Sequence, residues 1–293
     1  MGFFIAMEFK TIEVGSVPTA ALHAYLLASV APRPIAFAST IDRDGNPNLS
    51  PFSFFNVFGS NPPIAIFSPA RRVRDNSIKH SLENVLEVPE VVINVVDYAM
   101  VHQTSLSSCE YPKGVNEFIK AGFTPIPSEN IRPFRVKESP VQLECKVKDI
   151  IYTGTEGGAG NLIVCEVVKI HVASRVLNSE GKIDQHKIDL VGRLGSDWYV
   201  RASGNALFEV EKPNTKLGIG MDSLPKSLRE SRVLTGNQLA QLANSSELPA
   251  GINSHESTPK EELDAIHSQV AQHLSQGNID QAWKCLQRND WLS

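Results

Sequence analysis

Hydroxyl, amide and guanidinium side chains are concentrated in one stretch of this 293-residue chain, residues 33–76. Its first part carries groups that can hydrogen-bond the polar edge of a flat heterocycle, at Ser39, Thr40, Asn48, Ser50 and Ser53. Its second part carries groups that bind phosphate, at Ser68, Arg71, Arg74 and Asn76. Partners for a ring and partners for an anion therefore lie close together in the sequence.

The same stretch offers apolar surface and backbone donors. Phe52 and Phe54 can contact the apolar part of a ring. Pro51 cannot donate to a β-ladder, so its strand lies at a sheet edge or bulges there, which leaves neighbouring N–H groups for a ligand. Asp75 or Asn76 is a candidate N-cap of a helix through about residue 87, and the N-terminus of a helix attracts phosphate. The combination favours a flat anionic ligand such as flavin mononucleotide (FMN) over a polar barrel rim beside a solvated basic loop.

Short strands must position these groups. Residues 35–41, 48–58, 64–68 and 91–96 have strand-like composition, and Asp44-Gly45 is a hairpin signal between the first two. Alternation from Val141 predicts a strand paired with residues 161–172. The glycine-rich segment 153–160 between them lacks a Gly-Lys-Ser/Thr ending and a following helix, which favours a flexible hairpin loop over a phosphate-cradling loop. A helix is expected within residues 17–30.

Composition excludes several classes of protein. A formal net charge of −4 and a pI near 6.1 argue against nucleic-acid binding. No apolar run approaches the roughly 18–20 residues of a membrane span, and residues 1–10 lack the basic start of a signal peptide, so we expect a cytoplasmic protein that does not bind a membrane. The histidines do not pair at metal-ligand spacing, and Cys145 and Cys165 lie in apolar alternating runs as expected of buried free thiols.

Strand alternation stops after Pro213, so we predict two domains, residues 1–213 and a helical extension over 214–293. Within the extension, residues 237–243 are a short helix, and 249–257 are a mobile linker. Thr258-Pro259-Lys260-Glu261 predicts a capping box with proline at the first helical position, and Asn278 begins a last helix.

The motifs of the opening stretch resemble those of the flavin reductase-like family. They are Arg-Pro-Ile-Ala at 33–36, Ser39-Thr40, Asn-Leu-Ser-Pro-Phe-Ser-Phe-Phe-Asn at 48–56, and Arg74-Asp75-Asn76. The resemblance covers roughly residues 20–205, and Arg193-Leu194-Gly195 with Tyr199 supports it. Two positions depart from the family pattern. Arg74-Asp75-Asn76 stands where Lys-Asp-Thr is common, and Ser50 stands where alanine is common.

The resemblance implies a mainly β fold, an FMN-binding split β-barrel of six strands in Greek-key order, with peripheral helices and a C-terminal helical extension. It also implies a homodimer with FMN at the subunit interface. Arg193 and Tyr199 would then approach the site from the same chain or from the partner. Asn48, Ser50 and the N–H groups of residues 52–54 are the expected donors to the reduced flavin.

The function that follows is an NAD(P)H-dependent flavin oxidoreductase, in which hydride passes from NADH or NADPH to flavin N5 and electrons pass on to a small-molecule or protein acceptor. The flavin carries this chemistry, so no side chain is assigned as an obligatory acid or base. One alternative is a non-enzymatic FMN electron carrier or sensor module, favoured by the absence of a recognisable nucleotide-binding loop. Another is an oxidase resembling pyridoxamine phosphate oxidase, in which the arginines would also bind a phosphorylated substrate.

Overall fold

The computed structural model describes residues 8–212, 217–252 and 258–287, which fall into two compact units. The first unit spans residues 10–208 and contains the strands. The second holds residues 8–9 and the described residues from 209 onward, and its regular elements are helices. No helix in the described parts of the chain is both long and apolar enough to cross a bilayer.

Most of the first unit is one sheet with short helices around it. The strands are β1 (Ala36–Ile41), β2 (Pro47–Phe52), β3 (Phe55–Ser60), β4 (Pro63–Phe67), β5 (Glu90–Val95), β6 (Pro125–Ile126), β7 (Arg135–Val136), β8 (Val141–Tyr152), β9 (Asn161–Val172), β10 (Val191–Arg193) and β11 (Tyr199–Arg201). The helices of this unit are α1 (Thr19–Ser29), α2 (His80–Glu87), α3 (Val101–Leu106), α4 (Glu117–Ala121) and α5 (Gln185–Ile188).

The large sheet has seven antiparallel strands among the described residues, in the order β2-β1-β5-β8-β9-β4-β3. Its two edge strands, β2 and β3, follow each other in the chain and are joined only by Ser53 and Phe54. Edges of a flat seven-stranded sheet would lie about 29 Å apart, whereas three Cα–Cα steps span at most about 11 Å. The sheet must therefore curl until its two edges meet without pairing, which is the geometry of a split barrel.

The curled sheet buries residues on both of its faces. Ala36 and Ala38 of β1 point into the barrel, where Phe67 of β4 and Leu82 of α2 also pack. Phe37, between those two alanines, points to the other face and packs with residues of α3 and α4. The period-2 alternation of a strand thus serves two separate cores.

Two predicted strands of this sheet are confirmed closely, and so are the buried thiols. β8 and β9 pair over Val141–Tyr152 and Asn161–Val172, and the glycine-rich segment is the hairpin loop between them. Cys145 and Cys165 are buried in the barrel and form no disulfide. Burial raises the pKa of the Cys145 thiol to about 12.

Three expectations for this unit are wrong. The predicted strand 48–58 is two strands, and the break falls at Ser53–Phe54 and not at Pro51. The helix expected from Asp75 or Asn76 begins at His80. The sheet has seven strands in the described residues where six were expected.

The second unit packs its helices around a core of its own. They are α6 (Lys226–Arg229), α7 (Gly236–Ala243), α8 (Lys260–Ser275) and α9 (Ile279–Gln287). Leu242, Val270 and Leu286 are buried in that core. The capping box predicted at Thr258 is wrong, because Pro259 is the N-cap of α8 and no side chain caps it. A capping box exists instead at Thr235 and Gln238, before α7. The linker predicted at 249–257 lies partly outside the described residues.

Candidate functional site

The connection between the two sheet edges carries unused hydrogen-bond donors. Within the described chain, the backbone N–H groups of Ser53 and Phe54 have no hydrogen-bond partner, and neither has the hydroxyl of Ser50. Phe54 is 41% exposed, and its ring meets His23 of α1 edge-on at 6.0 Å. Two neighbouring N–H groups, one hydroxyl and one exposed aromatic ring are therefore available to a ligand at this connection, which we call the edge junction (residues 50–54).

The edge position of β2 explains why Pro51 is tolerated. Leu49 directs its N–H away from β1, to the carboxylate of Glu117 at 3.0 Å. Because N–H groups alternate in direction along an antiparallel strand, the backbone nitrogen of Pro51 also faces outward. Its missing hydrogen then costs no ladder bond, as the sequence predicted for an edge strand. Glu117 is buried at the start of α4, and this burial raises the pKa of its carboxyl.

Three of the predicted ring-binding residues, Ser39, Thr40 and Asn48, direct their side chains away from the junction. Asn48 lies opposite Thr40, and both side chains contact α2: Asn48 donates to Ser81 at 2.8 Å, and Thr40 accepts from Asn84 at 3.1 Å. Asn48 also lines a cavity of about 20 Å³, enough for one water molecule. Ser39 points to the other face of β1, where its buried hydroxyl has no partner among the described residues. Of the polar set from 39 to 53, the structure brings only Ser50 and Ser53 to the junction.

Phe52 and Ser68 connect the junction to the neighbouring strands. The ring of Phe52 is buried in the barrel, 5.4 Å from the ring of Phe67. Ser68 donates its N–H to the carbonyl of Phe54 at 2.9 Å, and its hydroxyl accepts from the N–H of Asn161 at 3.0 Å. Ser68 thus joins the edge junction to the start of the arginine-bearing segment, residues 69–79, which we call the arginine loop.

Within the arginine loop, Arg71 holds Asn76. The Arg71 guanidinium donates to the side-chain oxygen of Asn76 at 2.6 Å and to its carbonyl at 2.7 Å, and Asn76 has a positive φ of 57°. The Asn76 amide donates in turn to the carbonyl of Thr155 at 3.0 Å. Arg71 Nη1 keeps a free donor within the described chain.

The glycine-rich hairpin loop packs directly on the arginine loop. Backbone hydrogen bonds join Arg71 to Ala159 and to Gly158, at 2.9 and 3.0 Å. A Cβ at Gly157 would meet the Arg72 and Val73 backbone at 3.0 Å, so any larger residue there would push the two loops slightly apart.

The other cations of the loop face a carboxylate. Glu110 forms ion pairs with Arg72, Arg74 and Lys79, at 3.1 Å for Arg72 and 3.9 Å for Lys79. Asp75 accepts from the hydroxyl and the N–H of Ser77 and pairs with Arg74 at 3.1 Å, and these contacts hold its carboxyl pKa well below the ordinary value. Asp75 therefore shapes the loop, because a carboxylate would repel a phosphate.

Sequence reasoning missed Arg33, which lies directly behind the junction. Its guanidinium reaches the Ser53 hydroxyl at 3.4 Å and the Leu194 carbonyl at 2.9 Å. Its backbone pairs with that of Arg193, whose guanidinium stacks 4.5 Å from the centre of the Tyr199 ring. Arg33 thus contacts both Ser53 and the Arg193 backbone, and Tyr199 is connected to this group through Arg193. The only signal in the sequence was the Arg33-Pro34 pair, which does not reveal burial.

The groups of the edge junction and the arginine loop are of the types that bind the ring and the phosphate of FMN. The pyrimidine edge of an isoalloxazine needs N–H and O–H donors, which Ser50, Ser53 and Phe54 offer. A phosphate needs charge-assisted donors, and the arginine loop adjoins the junction through Ser68. It is the combination of these donors, rather than any single residue, that matches FMN.

Comparison with known proteins agrees with the fold. An uncharacterised protein of Aquifex aeolicus is 36% identical over 189 residues, covering 64% of this chain and 94% of that protein. Nitrilotriacetate monooxygenase component B from Bacillus cereus matches with a TM-score of 0.64 at 28% identity, over 69% of this chain and 99% of that one. A candidate flavin reductase with a split barrel domain from Shewanella frigidimarina matches with a TM-score of 0.59 at 26% identity, over 70% and 99%.

The three matches leave roughly a third of this chain uncovered. Residues 28–186, which include the edge junction, the arginine loop and the large sheet, match the flavin reductase like domain. The chain therefore belongs to the flavin reductase-like family of split-barrel proteins.

Proposed function

We propose that this protein binds FMN and is an NAD(P)H-dependent flavin oxidoreductase. The observation that carries the proposal is the pair of unpaired N–H groups at Ser53 and Phe54, joined through Ser68 to a loop of arginines. The edge junction can bind the ring, and the arginine loop can bind the phosphate. Ser68 hydrogen-bonds to Phe54 of the junction and directly precedes the arginine loop.

The edge junction and the arginine loop would bind different parts of the flavin. The N–H groups of Ser53 and Phe54 and the hydroxyl of Ser50 would orient the pyrimidine edge, and the exposed Phe54 ring would cover apolar surface. Arg71 and Arg74 would hold the phosphate, with Asn76 and Asp75 keeping the loop in shape.

When bound, the flavin would supply the redox chemistry by accepting hydride from NADH or NADPH at N5. The residues of this chain would contribute orientation and charge. The junction donors would stabilise the pyrimidine edge, the part of the ring that becomes negative on reduction, because such fixed donors stabilise developing charge without reorganising. No proton transfer from a side chain is required for that step.

We also propose a homodimer that covers the exposed side of the site. Helix α1 is rich in alanine and leucine, yet none of its residues is buried. Its Leu26 is 52% exposed, and its His23 lies against Phe54 of the junction. An apolar helix left uncovered beside the site is typical of a surface that a second copy buries.

The proposal is tested with the purified full-length protein. After reconstitution with FMN and removal of free ligand, we expect a bound flavin spectrum. Under anaerobic conditions, NADH or NADPH should bleach it within seconds in a stopped-flow instrument. A protein that retains FMN but stays yellow for minutes with both nucleotides would be the electron carrier or sensor of the alternative hypothesis. A protein that retains no flavin would contradict both.

A further inference from the structure

A buried positive charge lies behind the edge junction. Arg33 is 6% exposed, and within the described chain no carboxylate lies in ion-pair distance of it. Burial and the neighbouring Arg193 cation lower the pKa of its guanidinium. Buried charges in proteins are normally paired with an opposite charge, because removing an ion from water is costly.

Carbonyl oxygens take the place of the missing carboxylate. The Arg33 guanidinium donates to the carbonyls of Leu27 and Val30, at the C-terminal end of α1, and to the carbonyl of Leu194. The C-terminal end of a helix carries a partial negative charge that stabilises a cation. These contacts fix and partly stabilise the guanidinium, but carbonyl groups carry no net charge, so the site behind the junction keeps a net positive charge.

The fourth contact of the Arg33 guanidinium is with a residue of the candidate site. Arg33 Nε approaches the hydroxyl of Ser53, whose N–H is one of the two unpaired junction donors. A charge fixed there acts on anything bound at the junction, and its burial means that solvent and salt screen it less than they screen an exposed charge.

We propose that Arg33 is a positioning residue whose buried charge makes the edge junction bind reduced flavin more tightly than oxidised flavin. This inference rests on the proposed function. Reduction of bound FMN to its anion takes up two electrons and one proton, and the added negative charge lies on the pyrimidine edge. The positive charge behind Ser53 would favour that state over the neutral oxidised ring.

The test separates the charge of Arg33 from its hydrogen bonds. The midpoint potential of bound FMN would be measured by anaerobic reductive titration against a reference dye, and the affinity for oxidised FMN by fluorescence quenching. Arg33→Gln should reduce the preference for reduced flavin about tenfold, which lowers the two-electron potential by about 30 mV. Arg33→Lys keeps the charge while losing the forked contacts, and it should stay close to the wild-type potential.

A purely structural role predicts a different pattern. If Arg33 only holds α1 against the sheet, both variants should lose affinity for both redox states and leave the potential unchanged, and that result would overturn the inference. Should Arg33→Gln fail to fold, the wild-type protein still tests the inference. Its bound FMN must have a higher midpoint potential than free FMN in the same buffer. If wild-type protein binds no FMN, the proposed function itself is wrong.

Discussion

Leu49 donates its backbone N–H to the carboxylate of Glu117 across 3.0 Å, which joins the outer edge of β2 to the first turn of α4. On its outer side, the edge strand that leads into the candidate site is therefore held by a buried acid, whereas its inner side pairs with β1. Because burial raises the pKa of this acid, the protonation of Glu117 is linked to folding.

Glu117→Gln should flatten the pH dependence of stability. A carboxyl with a raised folded-state pKa stabilises the fold fully below its ordinary value of 4.5, and that contribution is lost as the pH rises through the folded pKa. Wild-type protein should thus lose stability relative to the glutamine variant between pH 4.5 and neutrality. Urea unfolding across this range measures the stability difference, with Glu83→Gln, a half-buried glutamate paired with Lys113, as the control. Parallel curves for wild type and Glu117→Gln would refute the linkage.

Arg71→Ala should weaken FMN binding while sparing riboflavin. A charged donor to a phosphate contributes about 1.5–3 kcal/mol, roughly a tenfold to hundredfold change in dissociation constant. Riboflavin lacks the phosphate, so its affinity should change little. Titration of both ligands by fluorescence quenching measures the ratio. Arg132→Ala, which removes an exposed arginine paired with Glu90, is the control. Equal loss for both ligands would show that Arg71 acts only on the shape of the loop.

Glu110→Gln should tighten FMN binding. The Glu110 carboxylate pairs with Arg72, Arg74 and Lys79, so it competes with a phosphate for the same cations. Arg74 is 66% exposed and its ion pairs are screened by water, so the expected gain is modest, about threefold to tenfold. Riboflavin affinity should stay constant, and Arg74→Ala should lower FMN affinity. Weaker FMN binding by Glu110→Gln would mean that the carboxylate organises the loop instead.

Gly157→Ala should weaken FMN binding more than Gly154→Ala. A Cβ at Gly157 would meet the backbone of Arg72 and Val73 at 3.0 Å, so the hairpin loop must move away from the arginine loop. A Cβ at Gly154 makes an ordinary contact of 3.4 Å with Ala159. Both variants alter the same loop, which makes them a matched pair. Identical affinities for FMN would show that contact between the two loops is irrelevant to the ligand.

Leu26→Lys should give a monomer if α1 forms the dimer interface. A lysine at the centre of a buried apolar surface would have to lose its hydration. Sedimentation velocity on the wild type and the variant measures the mass directly. Leu86→Lys on α2 replaces a leucine of similar exposure, 55% against 52%, and should leave the wild-type mass unchanged. A dimer that survives Leu26→Lys would place the interface elsewhere.

Local patterns predicted the regular parts of the fold well. The alternation of apolar and polar residues predicted β8 and β9, and β9 buries alternate residues over its first half, whereas β8 buries residues of both faces at its start. The break at Ser53–Phe54 was not visible, because strand-like residues continue on both sides of it. Which strands form the edges depends on the order of all seven, and no local pattern contains that order.

The sequence likewise indicated some features of the candidate site and not others. Residue types selected Ser50, Ser53 and Arg71, because hydroxyl and guanidinium groups are common ligand donors, and the structure places them at the edge junction and in the arginine loop. They also selected Asn48 and Thr40, whose side chains bind α2. Arg33 escaped detection because its burial is created by carbonyls of Leu27 and Leu194, one in a preceding helix and one 161 residues away. Contacts between distant segments decide such roles.

The two-residue connection between the sheet edges has a consequence for exchange of a ligand. Away from their connection at Ser53 and Phe54 the two edges are free to part, because no ladder hydrogen bonds join β2 to β3 in the described chain. A molecule bound across these residues would keep the edges together, and it would leave when they separate. The residence time of the ligand would then depend on how often the two edges separate. The melting temperature of this unit would rise as the ligand concentration is increased.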